Sequence, residues 1–443
     1  MRVDRPSPKT AIETVAVGGA TAFVIYLASA GVTASAQLLI ARLVGAETYG
    51  IYSYVTAWMT ILAYSSALGF DTALLRFVAA YRAMEAWSLV RGIIQYAERR
   101  VVAVGILVVL AGALVVLFQP RRFSAELRDT FLVGFFIVPV WALLWVRCAT
   151  VRAFGGVALA VLPDKIVRDG FVLVLVVVAT VALGVNVDAR QVMMATLAGS
   201  VVALWLVSTG MRRLRPSALA ATPPEYAAAT WRRTAAPLLV VVATQALLNR
   251  TGVVLLGWFG ETTQAGIYNL VFNVALLVVL PRTAINVLFA PTISSLFARK
   301  DQASLQALVA NAASWALGAA VCMALALAIF AEPILSWFGR DFVAGVPALR
   351  ILLAGQVVAA SYGSQLSVMT MTEHERGAAA LLVLSAVVNI AVGIVLIAFL
   401  GLAGAAISTA IALMVWNVAM AHFISRHLRL MPGVLGMIGS KSR

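Results

Sequence analysis

Residues 172–183 read VLVLVVVATVAL, and uncharged runs like it recur from one end of the chain to the other. The runs are continuous rather than alternating, which is the texture of helices surrounded by apolar material and not of half-exposed strands. Where such runs reach roughly 20 residues they match the hydrocarbon core of a bilayer, about 30 Å thick. Inside that core every backbone group must be bonded within the chain, so only helices or closed barrels can cross it, and unbroken runs select helices. Composition agrees. The chain is 62% hydrophobic and 12% charged, whereas a soluble domain carries about 25% charged residues.

The apolar runs predict an all-α integral membrane protein of about 12 spans, at roughly 12–40, 50–80, 101–118, 130–150, 166–186, 191–210, 234–258, 266–290, 308–330, 345–370, 377–399 and 402–424. The first run is too long for a signal-peptide core and is read as a retained span. The longest polar interruption, MRRLRPSALAATPPEYAAATWRRT, divides six spans from six. Residues 1–210 are expected to form an N-terminal six-helix lobe, 211–233 a cytoplasmic linker, 234–430 a C-terminal lobe and 431–443 a cytoplasmic tail.

Loop charges set the orientation. One side holds 23 of the Lys and Arg residues, among them Arg82, Arg91, Lys165, Arg168, Arg212, Arg232 and Lys300. The other holds 7: Arg42, Arg121, Arg122, Arg128, Arg190, Arg340 and Arg350. Both termini are therefore expected in the cytoplasm. This bias and attraction to anionic lipid headgroups explain the net charge of +15, with no nucleic acid required. Cys148 and Cys322 fall in different halves and define no disulfide framework. His374, His422 and His427 have no metal-ligand spacing, and no cofactor motif is present.

One phrase is written twice. GAETYGIYSYV at 45–55 returns as GETTQAGIYNLVF at 260–272, with Gly50 and Gly266 standing 216 positions apart. At that offset Ile51 meets Ile267, Tyr52 meets Tyr268, Glu85 meets Asp301, and Ser88 meets Ser304. A duplicated unit of about 200 residues follows. Six-plus-six parallel repeats related by an axis along the membrane normal are a transporter plan. Within the phrase, the glycine is expected to serve a tight turn and the tyrosine to sit at headgroup level.

Several stretches then resemble one family. LIARLVGAETYGIYSYVTAWMTILAYSSALGFDTALLRFVAAY (39–81) is similar to the opening of the polysaccharide biosynthesis (oligosaccharide flippase) family. VLFAPTISSLFARKD (287–301), LRILLAGQVVAASYGSQLSVMTM (349–371), LLVLSAVVNIAVGIVLI (381–397) and GLAGAAISTAIA (401–412) resemble its later helices in order. The resemblance covers most of the chain. Its superfamily also holds multidrug-and-toxin extruders and the lipid II flippase. It implies a two-lobed helical fold in a bacterial inner membrane that moves lipid-linked oligosaccharides, carried on polyprenyl pyrophosphate, by alternating access. Membrane lipids, a polysaccharide polymerase and its assembly complex are the partners it implies.

Charges on spanning helices are costly, so each is a candidate for function. Arg250 lies deep in the seventh span, beside Asn249 and Gln245, and Arg282 lies deep in the eighth, on one face with Asn286. Asn269 and Asn273 form another i, i+4 pair. Each of these can line a cavity or bond helix to helix. Pro281 should loosen its helix. Arg76 matches an arginine of the family segment, on a helix long enough to carry it to the headgroups, and Asp71 is the acid placed to carry a coupling ion. The two deep arginines are expected as rungs on one wall. Arginine forks bind phosphate oxygens, so the sign of charge points to an anionic substrate. An exporter of organic cations should show intramembrane carboxylates, of which the spans hold almost none. A proton- or sodium-coupled multidrug exporter and a membrane-embedded polymerase or glycosyltransferase are the alternatives; short loops without a nucleotide loop or nucleophile triad argue against an enzyme.

Overall fold

The computed structural model describes residues 8–119, 123–299, 301–372, 374–428 and 430–434, and among them the chain is helical with no strand. Arg121, Arg122 and Lys300, three of the charges used for orientation, and the tail beyond residue 434 lie outside the described residues. The first half contains α1 (Pro8–Ser66), α2 (Phe70–Ala83), α3 (Trp87–Phe118) and α4 (Ala125–Ala153). Next come α5 (Val157–Val161), a π-turn over Leu162–Val167, α6 (Arg168–Val177), a π-turn over Val178–Ala182, and α7 (Ala189–Leu214). After the short α8 (Ser217–Ala221), the second half runs through α9 (Ala228–Trp258), α10 (Thr262–Ala275), α11 (Leu280–Ala298) and α12 (Gln302–Ile329). It ends with α13 (Ala331–Phe338), α14 (Val346–Ser361), α15 (Gln365–Met371) and α16 (Glu375–His427).

Nine helices among the described residues are long and apolar enough to cross a membrane. Two gaps expected between spans are bends within a helix. At 1.5 Å per residue, the 53 residues of α16 would stretch about 80 Å if straight, far beyond a bilayer core. The helix instead turns at Gly401 (φ 52°), and it turns tightly: a Cβ on Gly404 would lie 2.2 Å from the Leu396 carbonyl oxygen. α1 bends likewise at Gly45 (φ 80°). Left-handed φ values are cheap only for glycine.

Packing inverts the soluble pattern. Ile106, Leu107, Leu110, Leu114 and Leu117 on α3 are exposed, an outward apolar face that suits lipid. The interior is built where α4 packs on α7 and α3, α16 on α9 and α14, and α1 on α10 and α9. The largest apolar cluster spans both halves, with Tyr49, Tyr52 and Val55 of α1 against Val253 of α9 and Tyr268 and Leu270 of α10.

One expectation needs correction. The second span does not continue unbroken to Arg76, because Leu68 (φ 55°) and Gly69 (φ 76°) break the helix before α2. A Cβ on Gly69 would sit 2.3 Å from the Ala235 carbonyl oxygen, so this corner is filled by the start of α9. Within the expected 211–233 linker, α7 runs on to Leu214 and α9 begins at Ala228. What remains is docked on α3: Arg91 Nη1 donates to the Thr222 carbonyl (2.7 Å), and the Glu225 N–H donates to the Ser88 carbonyl (3.1 Å). Trp231 anchors its end, fully buried and donating to the Tyr81 hydroxyl at 3.1 Å.

Candidate functional site

The duplicated phrase is where the halves meet. A Cβ on Gly266 would lie 2.6 Å from the Gly50 Cα, and one on Gly50 would lie 2.2 Å from the Thr262 carbonyl oxygen. The two glycines are needed because α1 and α10 approach there until only backbone fits, not because the chain turns. The tyrosines do not point outward toward lipid headgroups either. Tyr52 and Tyr268 are buried at 3% and 1% exposure, and each reaches a threonine in its own half: Tyr52 to Thr196 (3.2 Å), Tyr268 to Thr409 (2.8 Å). A buried phenol is satisfied by a hydroxyl partner, and here the last helix of each half supplies it.

One helical turn further on, a polar knot ties the halves together. Asn269 on α10 donates from Nδ2 to the Tyr49 hydroxyl (3.0 Å) and the Ser53 hydroxyl (3.1 Å), both on α1. Its Oδ1 accepts from Arg250 Nη1 on α9 at 3.0 Å. Asn269, expected only as half of an amide pair, is thus the joint between the deep arginine and the other half of the molecule.

Arg250 faces a cavity of about 190 Å³ lined from both halves, by Thr33, Tyr64, Trp145, Lys165, Arg168 and Asp169 on one side and Asn269 and Asn273 on the other. Tyr64 and Trp145 stack with ring centroids 4.0 Å apart, giving the cavity an aromatic shelf. Opposite Arg250 stands an ion network that the sequence reading missed. Arg168 binds Asp169 through Nε (2.9 Å) and Asp164 through Nη1 (3.0 Å), while Lys165 binds Asp164 at 3.2 Å. Thr33 donates to the second oxygen of Asp169 at 2.7 Å. Lys165 and Arg168 are expected among the loop charges, yet Arg168 is buried beneath Trp141, 5.2 Å from its ring. They are carried inward by the π-turn at Leu162–Val167, where the widened backbone around Pro163 re-aims successive side chains. The i, i+4 pairing of Asp164 with Arg168 was the available signal.

The spans therefore do hold carboxylates, and the two beside this cavity are matched to cations. Asp164 and Asp169 balance Lys165 and Arg168. Arg250 is left with an amide for its partner among the described residues, so the excess positive charge of the cavity resides on it.

The other predicted residues divide. Asn273 lines this cavity. Asn249 and Arg76 are exposed and line neither it nor the cavity around Arg282; Gln245 is half-buried and lines neither. For Arg76 the exposed position follows from its helix, which starts afresh at Phe70. Arg282 and Asn286 line a separate cavity within the second half, so the two deep arginines are not rungs on one wall. The helix does loosen before Pro281, with a 3₁₀ turn at Leu276–Val279. Asp71 lines a third cavity, with Arg152, Asp164 and Lys165, and its Oδ1 is buried without a hydrogen-bond partner. Among the described residues no three His, Cys, Asp or Glu side chains are grouped to hold a metal ion.

Comparisons with known proteins place this geometry. The solved inward-facing structure of a multidrug resistance MATE family transporter of the MOP superfamily matches with a TM-score of 0.74 over 92% of this chain and 93% of that one, at 14% identity. The lipid II flippase MurJ in an inward closed conformation matches with a TM-score of 0.67 over 91% and 87%, at 13% identity. At those identities the likeness is one of fold. In sequence, the probable low-salt glycan biosynthesis flippase Agl15 of Haloferax volcanii is 25% identical over 175 residues, which are 39% of this chain and 37% of that protein. The match thus spans little more than a third of this curated relative. The family model described as "Polysaccharide biosynthesis protein" matches residues 18–297, well over half of the sequence. This chain, a multi-pass helical membrane protein with the fold of the MATE and MurJ transporters, belongs to the polysaccharide biosynthesis protein family.

Proposed function

We propose that the protein is a flippase for lipid-linked oligosaccharides, with a polyprenyl-pyrophosphate-linked repeat unit as cargo. Twelve transmembrane helices would form two six-helix lobes related by a pseudo-two-fold axis along the membrane normal, and their rocking would open the central cavity to each side in turn. The observation that carries this reading is Arg250, a cation without a carboxylate in a cavity shared by both halves. A guanidinium fork binds phosphate oxygens, amides and hydroxyls suit sugar, and the Tyr64–Trp145 shelf offers an apolar ring face to a pyranose. The repeat supports the lobes: α3 begins at Trp87 and α12 at Gln302, 215 positions on, and the Tyr52–Thr196 and Tyr268–Thr409 bonds occupy corresponding places. No covalent step is required of any residue, so the protein acts as a transporter and hands its cargo to a polysaccharide polymerase of the assembly complex.

Deleting the gene should stop surface polysaccharide and accumulate lipid-linked oligosaccharide on the cytoplasmic leaflet, measured by protease-free glycan labelling of inverted vesicles. The paired carboxylates Asp164 and Asp169 favour a second reading, a cation-coupled multidrug exporter. Under that reading the deletion would instead lower resistance to organic cations and leave the glycan lipid untouched.

The topology follows from the loop charges, in a bacterial inner membrane with both termini cytoplasmic. Reporter fusions at Ala220 and Met431 should read cytoplasmic, and one at Glu261, beside the Gly50–Gly266 contact, periplasmic. A periplasmic signal at Ala220 would overturn the arrangement.

A further inference from the structure

The cavity around Arg282 lies wholly in the second half, among α11, the Gly363–Ser367 corner and α16. Arg282, Asn286, Gln365, Ser367, Trp416 and Asn417 line it, and no carboxylate does among the described residues. Two features there have no use in the fold. Arg282 forms no ion pair or hydrogen bond among the described residues. Gln365 is 3% exposed, and both its Nε2 and its Oε1 are buried without a partner. A buried amide unsatisfied at both ends destabilises the free protein, and so does a desolvated guanidinium without a counter-charge. Both are the marks of a site kept for a ligand.

We propose that this cavity is a second binding site, for a phosphorylated sugar. Arg282 supplies the charge for the phosphate. Gln365 Nε2 donates to a phosphate oxygen, and Oε1 accepts from a neighbouring hydroxyl, so the ligand must carry both an anion and a hydroxyl. The cavity measures about 140 Å³, room for a phosphate with part of a sugar, given about 30 Å³ for one water. Two sources share this chemistry: the head of a lipid-linked saccharide and a free sugar phosphate. The site is separate from the central cavity and does not rest on the translocation reading.

The test uses full-length protein purified in detergent, with glucose 1-phosphate, inorganic phosphate and micellar polyprenyl-phosphate glucose as probes, read by titration calorimetry and thermal unfolding. In Arg250→Gln, where the central cavity has lost its own cation, glucose 1-phosphate should still bind and should exceed inorganic phosphate in affinity, and adding Arg282→Gln should weaken it about tenfold or more. Gln365→Leu should weaken binding while raising the unfolding midpoint of the free protein by about 2 °C, because it removes two unsatisfied groups. That opposite movement separates a ligand site from a structural role. Tighter binding of the micellar probe, with the same dependence on Arg282, assigns the site to a lipid head; binding of the free sugar phosphate alone assigns it to a soluble ligand. The proposal is overturned if no probe binds Arg250→Gln, or if binding there survives the added Arg282→Gln.

Discussion

Export should fall by about two orders of magnitude or more when Arg250 is replaced by alanine, while the protein still reaches the membrane in normal amount. The magnitude follows from the bonds removed. A guanidinium gripping a phosphate makes charge-assisted hydrogen bonds worth about 1.5–3 kcal/mol each, and about 1.4 kcal/mol is tenfold. Arg250→Lys keeps the charge but loses the fork, and should recover part of the rate. The substitution also reaches the far half, because Asn269 Oδ1 loses its donor while Nδ2 still holds Tyr49 and Ser53. Asn249 is the internal control: one position away but exposed, it should tolerate alanine with export near wild type. Surface polysaccharide per cell, normalised to membrane abundance, measures all three. Wild-type export from Arg250→Ala at normal abundance would remove the cavity role.

Gly266→Val should abolish export for a different reason. No side chain fits at this position, where a Cβ would stand 2.6 Å from the Gly50 Cα. Overpacking a tight contact costs about 1–3 kcal/mol, and an interface between two halves can relieve it by parting. Valine should therefore hold α1 and α10 apart at this end of the cavity. A cysteine placed at Ser53 reports the difference: protected from a membrane-impermeant thiol reagent in the parent, labelled in Gly266→Val. The native thiols suit the assay, since Cys148 is buried and Cys322, which is exposed, can be replaced. Full export from Gly266→Val with Ser53→Cys still protected would mean that the close approach has no part in opening.

Much of this was legible in the sequence and some was not, for identifiable reasons. Apolar runs announce helices because the bilayer leaves the backbone no alternative. They cannot tell a loop from a glycine bend, so Gly45 and Gly401 were hidden inside apparent gaps. The doubled phrase was visible, but its purpose was not: Gly50 and Gly266 meet across 216 positions, and Tyr52 finds its threonine 144 positions away. Arg250 stood out as a charge with no acid nearby in its own span. Lys165 and Arg168 did not, because counting cations by side treats every one as solvated. Their neighbours Asp164 and Asp169 neutralise them, and the π-turn carries the quartet inside. The cavity of Arg282 needed the fold itself, since Gln365 and Asn417 come to it from other helices.

In the proposed function the protein carries an anionic lipid-linked oligosaccharide across the bilayer and holds it through Arg250. The most direct measurement reconstitutes purified protein in liposomes with a fluorescent polyprenyl-pyrophosphate oligosaccharide and follows its appearance in the opposite leaflet by quenching. Wild type should accelerate the movement well above protein-free liposomes, and Arg250→Gln, equally reconstituted, should return it to that background. Movement at the background rate with wild type, or at the wild-type rate with Arg250→Gln, would contradict it.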